Sequence, residues 1–217
     1  MRLRLAHLVL ATLLFGLSTG AALGVLAWKR ANGLAGEAKL AALRAQDHHS
    51  EALDGRPHML VVDYTRPSFV KRGHLVHATD GVVASFLVAH GQDSGWARVS
   101  QVGDRPTSRQ SSRGAFRAGP VRDGPHGPEL PIVGLDPLLN GNAEDRGLAI
   151  HGSAQVSWAS IWDNGGRLVR SEGAPMLHHE VMRDVVDLLG DGGLIYVHWE
   201  PHRGGPDRTP RSAGKGR

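Results

Sequence analysis

Histidine is the residue type in this chain best suited to chemistry: there are 13, and no cysteine. A neutral imidazole can accept a proton, donate one or bind a metal near neutral pH. The missing thiol excludes disulfides, thiolate metal sites, iron–sulfur clusters and every cysteine nucleophile. The adjacent pairs His48-His49 and His178-His179 would face different sides of a helix rather than converge on one ion. His178-His-Glu-Val-Met182 lacks the second histidine of a His-Glu-x-x-His zinc motif, so neither a metal nor a cofactor is expected. His151 stands apart because Gly152 follows it and Ala174 comes 23 residues later, inside Arg170-Ser-Glu-Gly-Ala-Pro175. Taken alone, a strand-end histidine is ordinarily structural, and Gly173 is ordinarily a turn glycine of positive φ. Ser111-Ser112, between Arg109 and Arg113, reads as loop surface or as contacts for a peptide carboxylate.

The elements that must position these residues follow from apolar spacing. Residues 31–54, rich in Ala, Leu and alternating charge, read as a helix that ends before Asp54-Gly55-Arg56-Pro57. It is a stalk or a packing helix within a 29–57 stalk/linker. Met59–Tyr64, His74–His77, Val82–His90, Leu130–Val133, Leu148–His151 and Leu194–Trp199 are short apolar or β-branched runs punctuated by Gly, Pro and Asp. They predict a mainly β domain over 58–201, a mostly antiparallel sheet or barrel with a few helices. His178 to Leu189 places Val181, Val185, Leu188 and Leu189 on one helical face, with Gly190 as its stop. Gly91 to Gly127 reads as one long loop of the kind that covers a site.

The ends differ in character from this domain. Leu5 to Trp28 is an apolar run preceded by Arg2 and Arg4, the arrangement of a secretory signal or a membrane anchor. Its length is about 24 residues, enough for an apolar helix to span a bilayer, which needs about 20. Thr19-Gly20-Ala21 and Val25-Leu26-Ala27 would each suit a signal peptidase. Residues 1–28 are therefore expected to direct export, as a cleaved signal or a retained anchor. The net charge of +4 arises from 25 basic and 21 acidic residues. Five of those bases and one acid fall in 202–217, read as a disordered basic tail, and Arg2, Arg4, Lys29 and Arg30 bracket the apolar run. Residues 31–201 keep 16 bases against 20 acids, a net of −4. A nucleic-acid footprint belongs on the folded domain, so nucleic acid is not an expected partner.

Ile150-His-Gly152 and Arg170-Ser-Glu-Gly-Ala-Pro175 together resemble the signature of the YkuD-type L,D-transpeptidases, in the branch called the murein L,D-transpeptidase catalytic domain family. There a strand-end His-Gly is followed by an Arg-Ser-x-Gly-Cys-Pro turn that leads into a helix. Val61–Ser68, Leu87–Ser94, Ser108–Gly114, His126–Asp136, Asn140–His151 and Gly192–Tyr196 extend the likeness over residues 59–200. The resemblance implies a β-sandwich or barrel-like domain facing the cell wall, with peptidoglycan stem peptides as partner. It implies a thiolate that attacks a stem-peptide diamino acid, forms a thioester and releases a D-amino acid. It makes His151 the base and assigns the oxyanion donors to Gly173 and residue 174 at the start of the helix. Gly152, Arg170, Ser171 and Glu172 would then line the bound peptide.

The departure lies at the nucleophile, where Ala174 replaces the family's cysteine. A methyl group attacks nothing, and Ser171 is three residues away, facing elsewhere on the turn. The remaining transition-state donors sustain only a remnant of the rate. Ala174 is either natural or a deliberate replacement. Two functions stay open: a transpeptidase-like domain disabled at one residue, or a stem-peptide binding or scaffold module. The sequence assigns no oligomeric state.

Overall fold

The computed structural model describes residues 25–27, 29–30 and 32–201. The chain divides into two compact units, residues 1–33 and 34–217, and the sheet belongs to the second. Apart from residues 25–27, the expected export segment lies outside the described residues, as does the expected basic tail. Among the described residues no helix is long and apolar enough to cross a membrane.

Among the described residues, nine strands form the domain: β1 (His58–Asp63), β2 (Gly73–His77), β3 (Gly81–Phe86), β4 (Gly114–Ala118), β5 (Arg122–Gly124), β6 (Gly127–Gly134), β7 (Ala149–Gly152), β8 (Met176–Leu177) and β9 (Leu194–His198). Their order is β3-β2-β1-β9-β4-β6-β7-β8, with β5 pairing on β6. Only β1–β9 and β7–β8 are parallel. The two ends of this order meet. Past β3, Ala89 bridges Met176 of β8 and Gly91 bridges Ser171, so the sheet curls into a nearly closed barrel. The expected strand Val82–His90 is therefore two pieces. Phe86 still pairs with β2, whereas Ala89 has changed partner to β8.

Met59 to Val62 is apolar at every position because β1 is covered on both faces, as a central strand must be. Leu60 and Val62 face the main core with Phe116, Ile132, Ile150 and Ile195. Met59 and Val61 join Ala38 and Ala42 of helix α1 (Gly36–His48), which lies on the outer face. That helix is shorter than the expected 31–54. It ends at His48, and a single 3-10 turn, Ser50–Ala52, follows. Two short helices not evident in the sequence are α2 (Pro137–Asn140) and α3 (Trp158–Asp163). The last helix, α4 (His179–Leu189), buries Met182, Val185 and Leu189 in the core and stops at Gly190, whose φ is +49°. His178 caps its start by accepting from the Glu180 N–H.

The expected loop 91–127 hides β4 and β5. β4 reads Gly-Ala-Phe-Arg-Ala, with no β-branched residue, and is a strand because β9 and β6 flank it. Asn140, fully buried, ties β4 to the end of β6. Its Nδ2 donates to Arg113 O and Ala115 O, each at 2.9 Å, and its Oδ1 accepts from Asp136 N–H at 2.9 Å. Asn140→Ala strands these backbone groups in the core. We expect a loss of about 2–4 kcal/mol in urea denaturation, since each orphaned buried group costs about 1–3 kcal/mol. A loss below about 1 kcal/mol would show that water satisfies them instead.

Candidate active site

β7 carries Ile150 into the core and leaves His151 half-buried on its other face. The imidazole Nδ1 lies 3.1 Å from Ala149 O. A carbonyl only accepts, so Nδ1 donates its hydrogen there, and Nε2 is the nitrogen left for another partner. The His126 ring, from the β5–β6 hairpin, stands 6.3 Å away between centroids. Gly152 follows because nothing larger fits: a Cβ there would lie 2.5 Å from His179 Nδ1.

β8 runs parallel to β7, with His151 opposite Met176, and so brings the 170–175 turn alongside the histidine's strand. The turn is pinned at several of its residues. Arg170 Nη1 donates to Gln92 O at 3.0 Å and to Gly95 O at 3.3 Å. Ser171 N–H donates to His90 O at 2.9 Å, and Ser171 O accepts from Gln92 N–H at 2.9 Å. Ser171 Oγ donates to Ala174 O at 2.5 Å and accepts from Gly173 N–H at 3.2 Å. The hydroxyl of Ser171, a residue 4 % exposed, is thus committed to bracing the turn. Glu172 is exposed, accepts from Gln92 Nε2 and lies 3.9 Å from Arg109, a rim contact worth little. Ala174, 5 % exposed, presents its methyl to the main core.

Gly173 has φ +129°, and a Cβ there would sit 2.7 Å from Arg146 Nη2. Arg146, absent from the sequence-derived site, is the hub beneath the turn. Its buried guanidinium donates to Gly103 O, Ser108 O and Gln110 O at 3.1, 2.9 and 2.6 Å and pairs with Asp104 at 3.3 Å. It thereby folds the 103–112 loop against the site. Ser111 and Ser112 are buried in this loop rather than on its surface. Ser111 Oγ accepts from Gly91 N–H, and its own N–H donates to Ser94 Oγ. The serines complete backbone hydrogen bonding that the irregular loop leaves open.

One expectation is corrected. The turn does not lead straight into a helix: β8 intervenes, because Met176 and Leu177 are apolar, buried and taken up as an edge on β7. α4 begins only at His179, so its N-terminus is not at Gly173–Ala174. The Gly173 N–H is occupied by Ser171 Oγ, whereas the Ala174 N–H has no acceptor among the described residues. Two cavities, of about 390 and 360 Å³, lie between α1 and the start of β9 and beside the β4–β6 hairpin. Neither is lined by a residue of the turn or by His151.

Behind the turn sits a buried polar brace that the sequence did not disclose. Arg72, fully buried, donates from Nε to Val88 O at 2.9 Å and from Nη1 to Arg66 O at 3.0 Å. Its Nη2 donates to His90 Nδ1 at 2.7 Å, and its guanidinium lies 4.8 Å from the Tyr64 ring centroid. Tyr64 Oη donates to Ala89 O at 3.2 Å. Burial, and then the Arg72 charge, push His90 down to about 3. Burial also pushes His74 down to about 4, although Asp63 opposes it.

Both histidines are ordinary titrating groups near 6.5 once unfolded, so the unfolded chain binds protons that the native form refuses. Their contribution is complete above pH 6.5 and declines as the pH falls toward 4. We expect a lower urea midpoint at pH 4.5 than at pH 7. His90→Gln should flatten that dependence, by at most about 1.4 kcal/mol per pH unit, the linkage of one proton. An unchanged slope in the variant would show that His90 is charged in the native protein.

The family model described as "L,D-transpeptidase catalytic domain" matches residues 31–198. No curated protein matches the chain. Among solved structures, an L,D-transpeptidase from Mycobacterium smegmatis is similar at 13% identity and TM-score 0.41, over 67% of this chain and 60% of that one. One from Xylanimonas cellulosilytica gives 19% identity and TM-score 0.39, over 66% and 61%. One from Mycobacterium tuberculosis gives 12% identity and TM-score 0.42, over 67% and 59%. The chain thus spans about three fifths of the length of these solved relatives.

Proposed function

The chain belongs to the L,D-transpeptidase catalytic-domain family, and from that premise we propose that it is a cell-envelope domain that binds peptidoglycan stem peptides with its acyl-transfer chemistry disabled at Ala174. The observation that carries this reading is the turn itself. Arg170 to Ala174 is held by hydrogen bonds at both ends and continues into β8, which pairs with the strand of His151, and by resemblance alanine stands at the nucleophile's position. Acyl transfer needs a nucleophile, a base and oxyanion donors together. Here the base and one turn N–H remain, which suits recognition of a peptide carbonyl without attack on it.

The expected binding is tested by titrating the full chain with a tetrapeptide stem in a calorimeter. Saturable binding without cleavage or crosslinking supports a binding module. Product formation would mean that another group supplies the nucleophile.

The disabled-enzyme half is tested by Ala174→Cys. One added heavy atom in a nearly buried site should cost no more than about 1–3 kcal/mol, which denaturation will report. A carbapenem should acylate the new thiol: the lactam C–N bond opens, a thioester forms, and the protein gains the whole mass of the drug. His151→Ala in the same background should slow that gain, because the thiolate is the attacking form. A folded Ala174→Cys protein that gains no mass would show that the site has diverged beyond its nucleophile.

Export is the remaining part of the proposal, supported by Arg2, Arg4 and the Leu5–Trp28 run. A reporter active only outside the cytoplasm, fused to the C-terminus of the full chain, should be active and should fall silent when residues 2–28 are deleted. Activity of a cytoplasm-only reporter at the same junction would overturn the assignment.

A further inference from the structure

Beside the turn, two arginines share one indole. The Arg167 guanidinium carbon lies 4.0 Å from the Trp96 ring centroid and that of Arg170 lies 5.7 Å away. Stacking uses the flat face of a guanidinium and leaves its N–H edge for hydrogen bonds. The protein uses little of those edges. Arg170 spends Nη1 on two loop carbonyls, and Arg167 spends Nη1 on Leu168 O at 3.0 Å. The Arg167 Nε–H is buried with no acceptor among the described residues.

No carboxylate among the described residues pairs with either arginine. Asp93 and Glu172 face Arg109, and Asp63 is held by Arg66. Two cations on one ring repel each other. Burial first, and then the Arg170 charge, make Arg167 a weaker base than usual. An arrangement of this kind is relieved by an anion. The 31–201 region as a whole carries net negative charge, which disfavours a polyanion and favours a small, singly charged group.

We propose that Arg167, Trp96 and Arg170 form a carboxylate subsite that receives the free C-terminal carboxylate of a bound peptide next to the Ser171–Ala174 turn. The subsite rests on the stem-peptide reading and specifies which end of the ligand it holds. Trp96 presents the guanidiniums as a fixed pair, so little side-chain freedom is lost on binding. Arg170, continuous with the turn, links the position of the carboxylate to that of Ala174.

The experiment compares a tetrapeptide stem as its free acid and as its C-terminal amide, titrated calorimetrically into the full chain. Charge-assisted pairing predicts that the wild type binds the acid at least tenfold more tightly than the amide. Arg167→Gln and Trp96→Leu should each bring the two affinities to within about threefold, with thermal melting confirming that the variants fold. Equal wild-type affinities for acid and amide would overturn the subsite while leaving the stem-peptide reading in place. An acid preference undiminished in folded Arg167→Gln would likewise overturn it. If neither peptide binds the wild type, the stem-peptide reading falls, and the subsite with it.

Discussion

The closure of the sheet depends on a guanidinium taken wholly out of water. Arg72 stands where the chain leaves β3 for β8, and it satisfies Val88 O, Arg66 O and His90 Nδ1 at once. Isolating such a charge in the interior costs several kcal/mol unless every donor is engaged. The cost is offset by those three bonds, by the Tyr64 ring and by the nearby Asp63 carboxylate. The bonds of Arg72 to Val88 O and His90 Nδ1 hold residues 87–91 in one arrangement. That geometry presents Ala89 to Met176 and His90 O to Ser171 N–H, which is the seam of the barrel.

The 170–175 turn grows from this seam and inherits its rigidity. One side is held by the strand-like contacts with residues 89–92, the other by β8 on β7. Arg146 closes it from beneath by gathering three carbonyls of the 103–112 loop around Gly173. A segment so densely bonded and buried should open rarely, since local opening is favoured where contacts are few. None of these hydrogen bonds involves the side chain at position 174.

Much of this was written in local patterns. The apolar run of β1, the 3.6-residue spacing of α4 with its Gly190 stop, and the His151-Gly152 and Arg170–Pro175 strings each depend on near neighbours. They could be read directly, and they pointed to a β-rich domain and to the turn. The absent cysteine was likewise a fact of composition. What the sequence left open was every feature whose partner lies far along the chain. β4 is a strand because β9 and β6 stand beside it, not because Gly-Ala-Phe-Arg-Ala favours one. Arg72 and Ser111 look like surface residues until distant partners, Val88 O at 16 positions and the Gly91 N–H at 20, are placed. β8, two residues long, exists only because β7 lies on one side of it and Ala89 on the other. Periodicity records which face of an element is apolar. It does not record what covers that face, and a buried polar group is tolerable only once its partners are known, so the brace, the seam and the hub under Gly173 were decided by tertiary structure alone.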